Sequence, residues 1–394
     1  MITMQTCEEV FEKLFHQMEY RKFFAPGRIN LIGEHTDYNG GHVFPCAITF
    51  GTYAIAQKND DNIVRVYSMN FPEKGVSEFL LKELEYTKGH EWANYPKGVI
   101  RYLIEDGYEI TAGMNILFYG NIPNGAGLSS SASIELVTGV LVAGLFDLVI
   151  DRIDLVKIGK RVENNFIGVN SGIMDQFAIG MGKANQGILL DCQTLQYSYA
   201  PIIIENYNII IMNTNKRREL ADSNYNERRS QCEAALIALQ KNLQIQSLGE
   251  LSEGTFEEYK EMIHSDVLIK RAKHAVYENS RTIKALEALK QGDLLGFGVL
   301  MNQSHISLRD DYEVTGKELD TLVETAWEQP GVVGARMTGA GFGGCAIAIV
   351  EKQQTDSFIT VVGKKYEERI GYGGTFYIAS IGDGAREINR EVII

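Results

Sequence analysis

The sequence predicts two α+β domains, and three observations carry that prediction. The chain has 394 residues, more than one typical domain of ~150 residues. Strand-like alternation and helical periodicity occur in both halves rather than segregating into one. No Gly/Ser-rich linker separates the halves, so the boundary is placed near residue 200, within about ten residues, giving domains 1–200 and 201–394.

Alternation over 48–56, 63–68 and 114–118 predicts strands. Over 131–148, Ile134, Val137, Leu141, Leu145 and Leu148 recur at helical spacing. Leu136, Val140 and Ala143 fill the other faces, so this helix is buried. Strands follow at 187–190 and 208–212. Beyond residue 215 the pattern turns helical, with a charged helix over 222–240 and another ending near Gly292, with Ile283, Leu286 and Leu289 on one side. Thr315-Gly-Lys-Glu318 has the spacing of a capping box and predicts a helix through Trp327, stopped at Pro330-Gly331. Strands at 345–350 and 375–380, with a helix between them, close the chain.

Hydrophobic residues make up 45% and charged residues 23%, the proportions of a globular protein and not of a disordered one. The net charge of -13 opposes binding to a nucleic-acid backbone. The densest basic cluster, Lys216-Arg217-Arg218 with Arg228-Arg229, is interrupted by Glu219, Asp222 and Glu227 and reads as a solvated face of paired charges. Five scattered cysteines without C-x-x-C argue against disulfides and structural zinc, and for a reducing compartment. The start, MITMQTCEEVFEKLF, is acidic where a signal peptide is basic, and no run reaches the ~18 apolar residues of a membrane span. The expectation is a cytoplasmic protein with neither nucleic acid nor membrane as partner.

Three stretches carry chemistry. Gly125-Ala-Gly-Leu-Ser-Ser-Ser131 opens the buried helix. Its glycines allow close backbone approach, and the free N–H groups of a helix start favour phosphate. A plain turn with a serine cap is the alternative, and three serines before an all-apolar helix favour phosphate. No Walker A loop is present, and Gly339-x-Gly341-x-x-Gly344 precedes a strand rather than a helix, so a Rossmann reading fails. Arg28, Glu34, His35, Asp37 and Tyr38 crowd a glycine-punctuated stretch, a set of directional donors and acceptors suited to sugar hydroxyls, or else a solvated surface loop. Asp175 sits among apolar residues, where a carboxylate needs a partner, commonly Arg; a bracing role is the even alternative.

Together these stretches resemble the galactokinases, members of the GHMP small-molecule kinase family, and the likeness runs end to end. Gly27-Arg28-Ile-Asn30-Leu-Ile-Gly-Glu34-His35-Thr-Asp37-Tyr38 is similar to the sugar signature, 125–133 to the phosphate loop, and 334–344 to the third motif. Asn224-Tyr225-Asn-Glu-Arg-Arg229 and 304–312 are similar to further galactokinase stretches. The resemblance implies a cleft between two α+β domains. It implies ATP phosphates held by Gly125, Ala126, Gly127, Leu128, Ser129, Ser130 and Ser131, with Ser68 near the nucleotide. Mg2+ would lie on Ser131 and Glu163. Galactose would be met by Glu34, His35, Thr36, Asp37, Gly172 and Tyr225. Asp175 would serve as base toward the anomeric hydroxyl, with Arg28 stabilising charge. A kinase for a related sugar and a non-catalytic sugar sensor are the other readings; the intact serine loop and Asp175 weigh against the sensor.

Overall fold

The computed structural model describes residues 2–123, 126–216 and 221–388. The first strands are β1 (Arg21–Asn30), β2 (His42–Val43), β3 (Pro45–Lys58), β4 (Ile63–Ser68), β5 (Ser77–Leu80) and β6 (Met114–Gly120). They are followed by β7 (Gln186–Asp191), β8 (Tyr197–Pro201), β9 (Tyr207–Asn213), β10 (Val332–Thr338), β11 (Cys345–Glu351), β12 (Thr375–Ala379) and β13 (Arg386–Glu387). A six-stranded sheet runs β13-β1-β3-β6-β4-β5, a four-stranded one β10-β11-β9-β12, and a three-stranded one β2-β7-β8.

The expected strands over 48–56, 63–68, 114–118, 187–190, 208–212, 345–350 and 375–380 all form. The expected buried helix spans Ser130–Leu145 and packs on β1 and β3. Alternation did not reveal β1, because eight consecutive residues of it are buried on both faces. Its pairing with β3 shifts register between Pro26 and Arg28, a bulge where a proline is tolerated and a side chain is re-aimed.

Each half has its own apolar core, and a third core joins them: Ile29, Leu31 and Phe44 pack with Ile209, Ile211, Phe297 and Ile347. The chain's tail crosses back over this seam. Ile381 bridges to Ile48, and β13 pairs with β1.

Two local readings need correction. Thr315 makes no side-chain cap bond to the helix Gly316–Trp327, because its own backbone is already helical; Glu318 pairs instead with Lys216 at 3.0 Å. In the basic cluster, Arg217 and Arg218 lie outside the described residues. Lys216 and Arg229 are paired as expected. Arg228 is not solvated: it is buried, and it donates to the carbonyls of Tyr312 and Glu313 at 2.8 and 3.1 Å. None of the five cysteines is in a disulfide. Among the described residues no helix is long and apolar enough to cross a membrane.

Candidate active site

A cleft of about 470 Å³ opens where the two halves meet, within the range of small-molecule sites. It is lined by the bulged end of β1 and the turn after it, by the loop before the buried helix, by Glu163 and Asp175, and by Tyr225 and Gly339–Ala340 of the second half.

Arg28 and Asp175 meet at its floor. The β1 bulge aims the guanidinium so that Nε and Nη2 donate to the two carboxylate oxygens, both at 2.8 Å. Nη1 donates to the Gly127 carbonyl at 2.8 Å, and the Arg28 N–H reaches the Leu128 carbonyl at 3.2 Å. The Ser129 hydroxyl adds a third donor to Asp175, at 2.5 Å. Asp175 begins the helix Met174–Met181 and keeps about 30% side-chain exposure toward the cleft, against 6% for Arg28. The carboxylate is therefore held in place yet reachable.

The loop into the buried helix shows why its sequence is glycine- and serine-rich. Gly127 takes a positive φ of 72°, and Ser129 one of 64° at the helix start. The serine-cap alternative fails, since Ser129 makes no cap bond and its hydroxyl goes to Asp175. The first helical N–H groups have no partner within the helix by geometry. Ala126 and Leu128 are buried and shape the loop, while Ser130 is exposed to the cleft. Gly125 lies outside the described residues. The Ser131 hydroxyl donates to Glu163 Oε1 at 2.6 Å. Glu163 sits in a π-helical turn, Val162–Ile167, a widening of the kind that re-aims functional side chains. A hydroxyl and a carboxylate are hard oxygen donors of the sort Mg2+ takes, and two protein donors suit an ion otherwise held by water and phosphate. No cluster of three His, Cys, Asp or Glu stands ready for a metal among the described residues.

The opposite wall is the turn after β1. Glu34 is buried; its Oε1 accepts from the Gly339 N–H at 2.7 Å and from Arg336 at 3.4 Å. Burial raises its carboxyl above the ordinary value, and Arg336 opposes that. Burial lowers the His35 imidazole to about 3, so the ring is neutral. Nε2 faces the Ala340 carbonyl at 3.2 Å and must carry the proton; Nδ1 then accepts from the Tyr38 hydroxyl at 2.8 Å, which accepts in turn from Tyr312 at 2.7 Å. Burial first, and then the charge of Asp175, push Asp37 up to about 6. A Cβ on Gly172 would sit 1.6 Å from Asp37 Oδ2, so only glycine fits beside that carboxylate. Tyr225 stands 5.5 Å from His35, ring to ring.

Arg28, Glu34, His35, Asp37, Gly127, Leu128, Ser129, Ser130, Ser131, Glu163, Gly172, Asp175 and Tyr225 thus line one cleft. Among the described residues three expected ones do not join them: Ala126, buried in the loop, Thr36 and Ser68. The Thr36 hydroxyl turns inward to the carbonyls of Gly33 and His42, bracing the turn. Ser68 is buried at the end of β4 and does not line the cleft; its Oγ accepts from Asn70 N–H at 3.2 Å. Sequence reasoning had Ala340 and Arg336 only as members of the 334–344 stretch, without a role, and missed Glu278. The last lies inside a regular helix, and nothing in its local pattern singles it out.

Comparison with known proteins gives the same picture. The galactokinase galactose-binding signature matches residues 9–58, the GHMP kinases N-terminal domain 94–183, and the GHMP kinases C-terminal family 285–368. The chain is 63% identical over 392 residues to the galactokinase of Exiguobacterium sibiricum, covering 100% of both chains. It is 60% identical to the galactokinase of Enterococcus faecalis, covering 96% of this chain and 98% of that one. Lactococcus lactis galactokinase, solved in complex with galactose, superposes with a TM-score of 0.95 at 53% identity over 98% of this chain and 99% of that one. Methanococcus jannaschii mevalonate kinase shares the fold at a TM-score of 0.64 and 19% identity, covering 93% and 100%.

Proposed function

Since the chain belongs to the galactokinase family, we propose that its cleft moves the γ-phosphoryl group of ATP onto the anomeric hydroxyl of galactose, giving galactose 1-phosphate and ADP. The observation that carries the reading is the Arg28–Asp175–Ser129 cluster, set between a sugar-type turn and a phosphate-type loop. Asp175 takes the proton of the anomeric hydroxyl. That oxygen bonds to the γ-phosphorus, the bond from phosphorus to the bridging oxygen breaks, and its electron pair leaves on ADP. Phosphoryl transfer depends mainly on positioning and charge stabilisation, and Arg28 supplies a fixed positive charge beside the base. The helix-start N–H groups and the serine hydroxyls receive the phosphate oxygens. Glu34, the neutral His35, Asp37 and Tyr225 offer hydrogen bonds to the sugar.

Ser131 and Glu163 are the residues that would hold Mg2+, which when bound neutralises charge on the phosphates. The proposed domain division stays near residue 200, at the end of β8, giving 1–200 and 201–394, although β13 of the tail pairs with β1 of the first half. Five cysteines with no disulfide among them support a reducing, cytoplasmic setting.

The test is ADP release over a panel of sugars. A site built to hydrogen-bond hydroxyls rejects an epimer that leaves buried groups unpaired. Galactose should turn over far faster than glucose. Equal rates would remove the assignment, and a preference for another sugar would redirect it.

A further inference from the structure

We propose that Glu278, acting with Arg336, is a positioning residue for sugar recognition that clamps the turn presenting Glu34. The proposal rests on the reading that Glu34 meets the sugar. Glu278 lies midway along the helix Asp266–Lys290 of the second half, is fully buried, and does not line the cleft. Its Oε1 accepts from the Gly33 N–H at 2.9 Å, the Glu34 N–H at 3.4 Å and the Ser304 hydroxyl at 2.5 Å. Its Oε2 accepts from Arg281 at 2.7 Å. One helical turn earlier, His274 Nε2–H donates to the Glu34 carbonyl at 3.1 Å. Two residues four apart on one helix face thus hold both sides of the Glu34 residue.

Arg336 closes the cluster. It is wholly buried, donates to the Asn30 carbonyl at 3.0 Å, and stands 3.4 Å from the Glu34 carboxylate and 3.9 Å from that of Glu278. Backbone and side chain of Glu34 are therefore fixed by one ionic group from the other half of the molecule.

The turn needs such a clamp. Glu34 is flanked by Gly33 at φ 92° and His35 at φ 60°, both left-handed, and a non-glycine residue there is strained. A fully buried ion pair is weak evidence for stability, because well-packed apolar side chains do as well or better. Burial alone would raise the Glu278 carboxyl, but Arg281, His274 and Arg336 outweigh it and hold it at about 2, so it stays a carboxylate able to accept all of these bonds. What an apolar replacement cannot supply is an acceptor for the two turn N–H groups, and what an amide cannot supply is an acceptor for them and for Arg281 at once.

The test uses the full chain with Glu278→Gln and, separately, Ser304→Ala, which removes one donor to Glu278 and spares the turn's own bonds. Glu278→Gln should raise the KM for galactose by about tenfold or more, leave the KM for ATP unchanged, and narrow the preference for galactose over glucose. Ser304→Ala should shift the galactose KM in the same direction by less. A lower Tm with both KM values and the sugar preference intact would overturn the proposal. If Glu278→Gln does not fold, an unchanged galactose KM in Ser304→Ala overturns it. A wild-type chain that does not phosphorylate galactose overturns instead the function on which it rests.

Discussion

The sugar-facing turn and the phosphate-facing loop line one cleft but are held in opposite ways. The turn is gripped from the other half of the molecule, by Glu278, His274, Arg336 and the Gly339 N–H, and its polar groups are buried. The loop's hydroxyls find partners within the first half, each on a single carboxylate: Ser129 on Asp175 and Ser131 on Glu163. A buried, multiply bonded turn is a preformed site, and ordering it costs the ligand little. Single hydroxyl–carboxylate bonds at a half-open loop can be exchanged when phosphate arrives. Changes on the turn should therefore act on sugar affinity and stability together, and changes on the loop side mainly on turnover.

The largest effect that could break this contrast is at Asp175, which both regions face. Asp175→Asn preserves size but removes the base and the charge facing Arg28. Turnover should fall by roughly 10²–10⁴, the worth of a positioned base, while galactose and ATP still bind. Measuring kcat and Tm on one preparation decides the matter. A lower Tm with normal turnover per folded molecule would make Asp175 a brace.

A smaller effect belongs to Glu163. Glu163→Ala should raise the magnesium needed for half-maximal rate by roughly tenfold and leave the galactose KM alone. Its Tm should hold. The buried carboxyl of Glu135 is pushed well above its ordinary value by burial and by the charge of Glu163, so removing that charge relieves a repulsion. An unchanged magnesium titration in the folded variant would take Glu163 out of the metal site.

What the sequence revealed divides along the same line. The phosphate loop was legible because its signal is local: glycines, serines and an apolar helix in thirteen consecutive positions, 121–133. Most of the sugar stretch was legible as a crowd of polar groups, but its architecture was not. β1 is buried on both faces, so it shows no alternation, and part of it read as a loop. Glu278 and Arg336 act across 240 or more residues of chain; Glu278 sits in what reads as ordinary helix, and the 334–344 motif gave Arg336 no role of its own. Thr36 shows the opposite failure, a residue inside the right motif whose hydroxyl serves the backbone. The capping-box spacing at Thr315 misled because Thr315 itself takes a helical backbone, while Glu318 pairs with Lys216, a residue distant in sequence.

The finest test sharpens the claim that the turn trades stability for recognition. Asp37 lies on the turn, its carboxyl accepting from the Tyr38 N–H and facing Asp175, Glu34 and, more favourably, Lys160. Burial and then Asp175 raise it from 3.8 to about 6. A carboxyl raised in the folded state binds its proton more tightly there than in the unfolded chain. Its contribution to stability is thus greatest at low pH, falls as pH rises from 3.8 toward 6, and is a constant penalty above that. Asp37→Asn removes the penalty. If ~1 kcal/mol of it survives in this half-open position, the variant's Tm should exceed the wild type's by about 2–4 °C at neutral pH, with the gain shrinking in acid. Recognition should move the other way. Only the ionised carboxylate accepts from sugar hydroxyls with both oxygens, so the wild-type galactose KM should rise about fourfold from pH 7 to pH 5.5 while the KM for ATP stays flat. In Asp37→Asn the galactose KM should be high at every pH and lack this rise. A variant that is less stable at neutral pH, or that keeps the acid limb, would show that the turn is not strained by its own recognition groups.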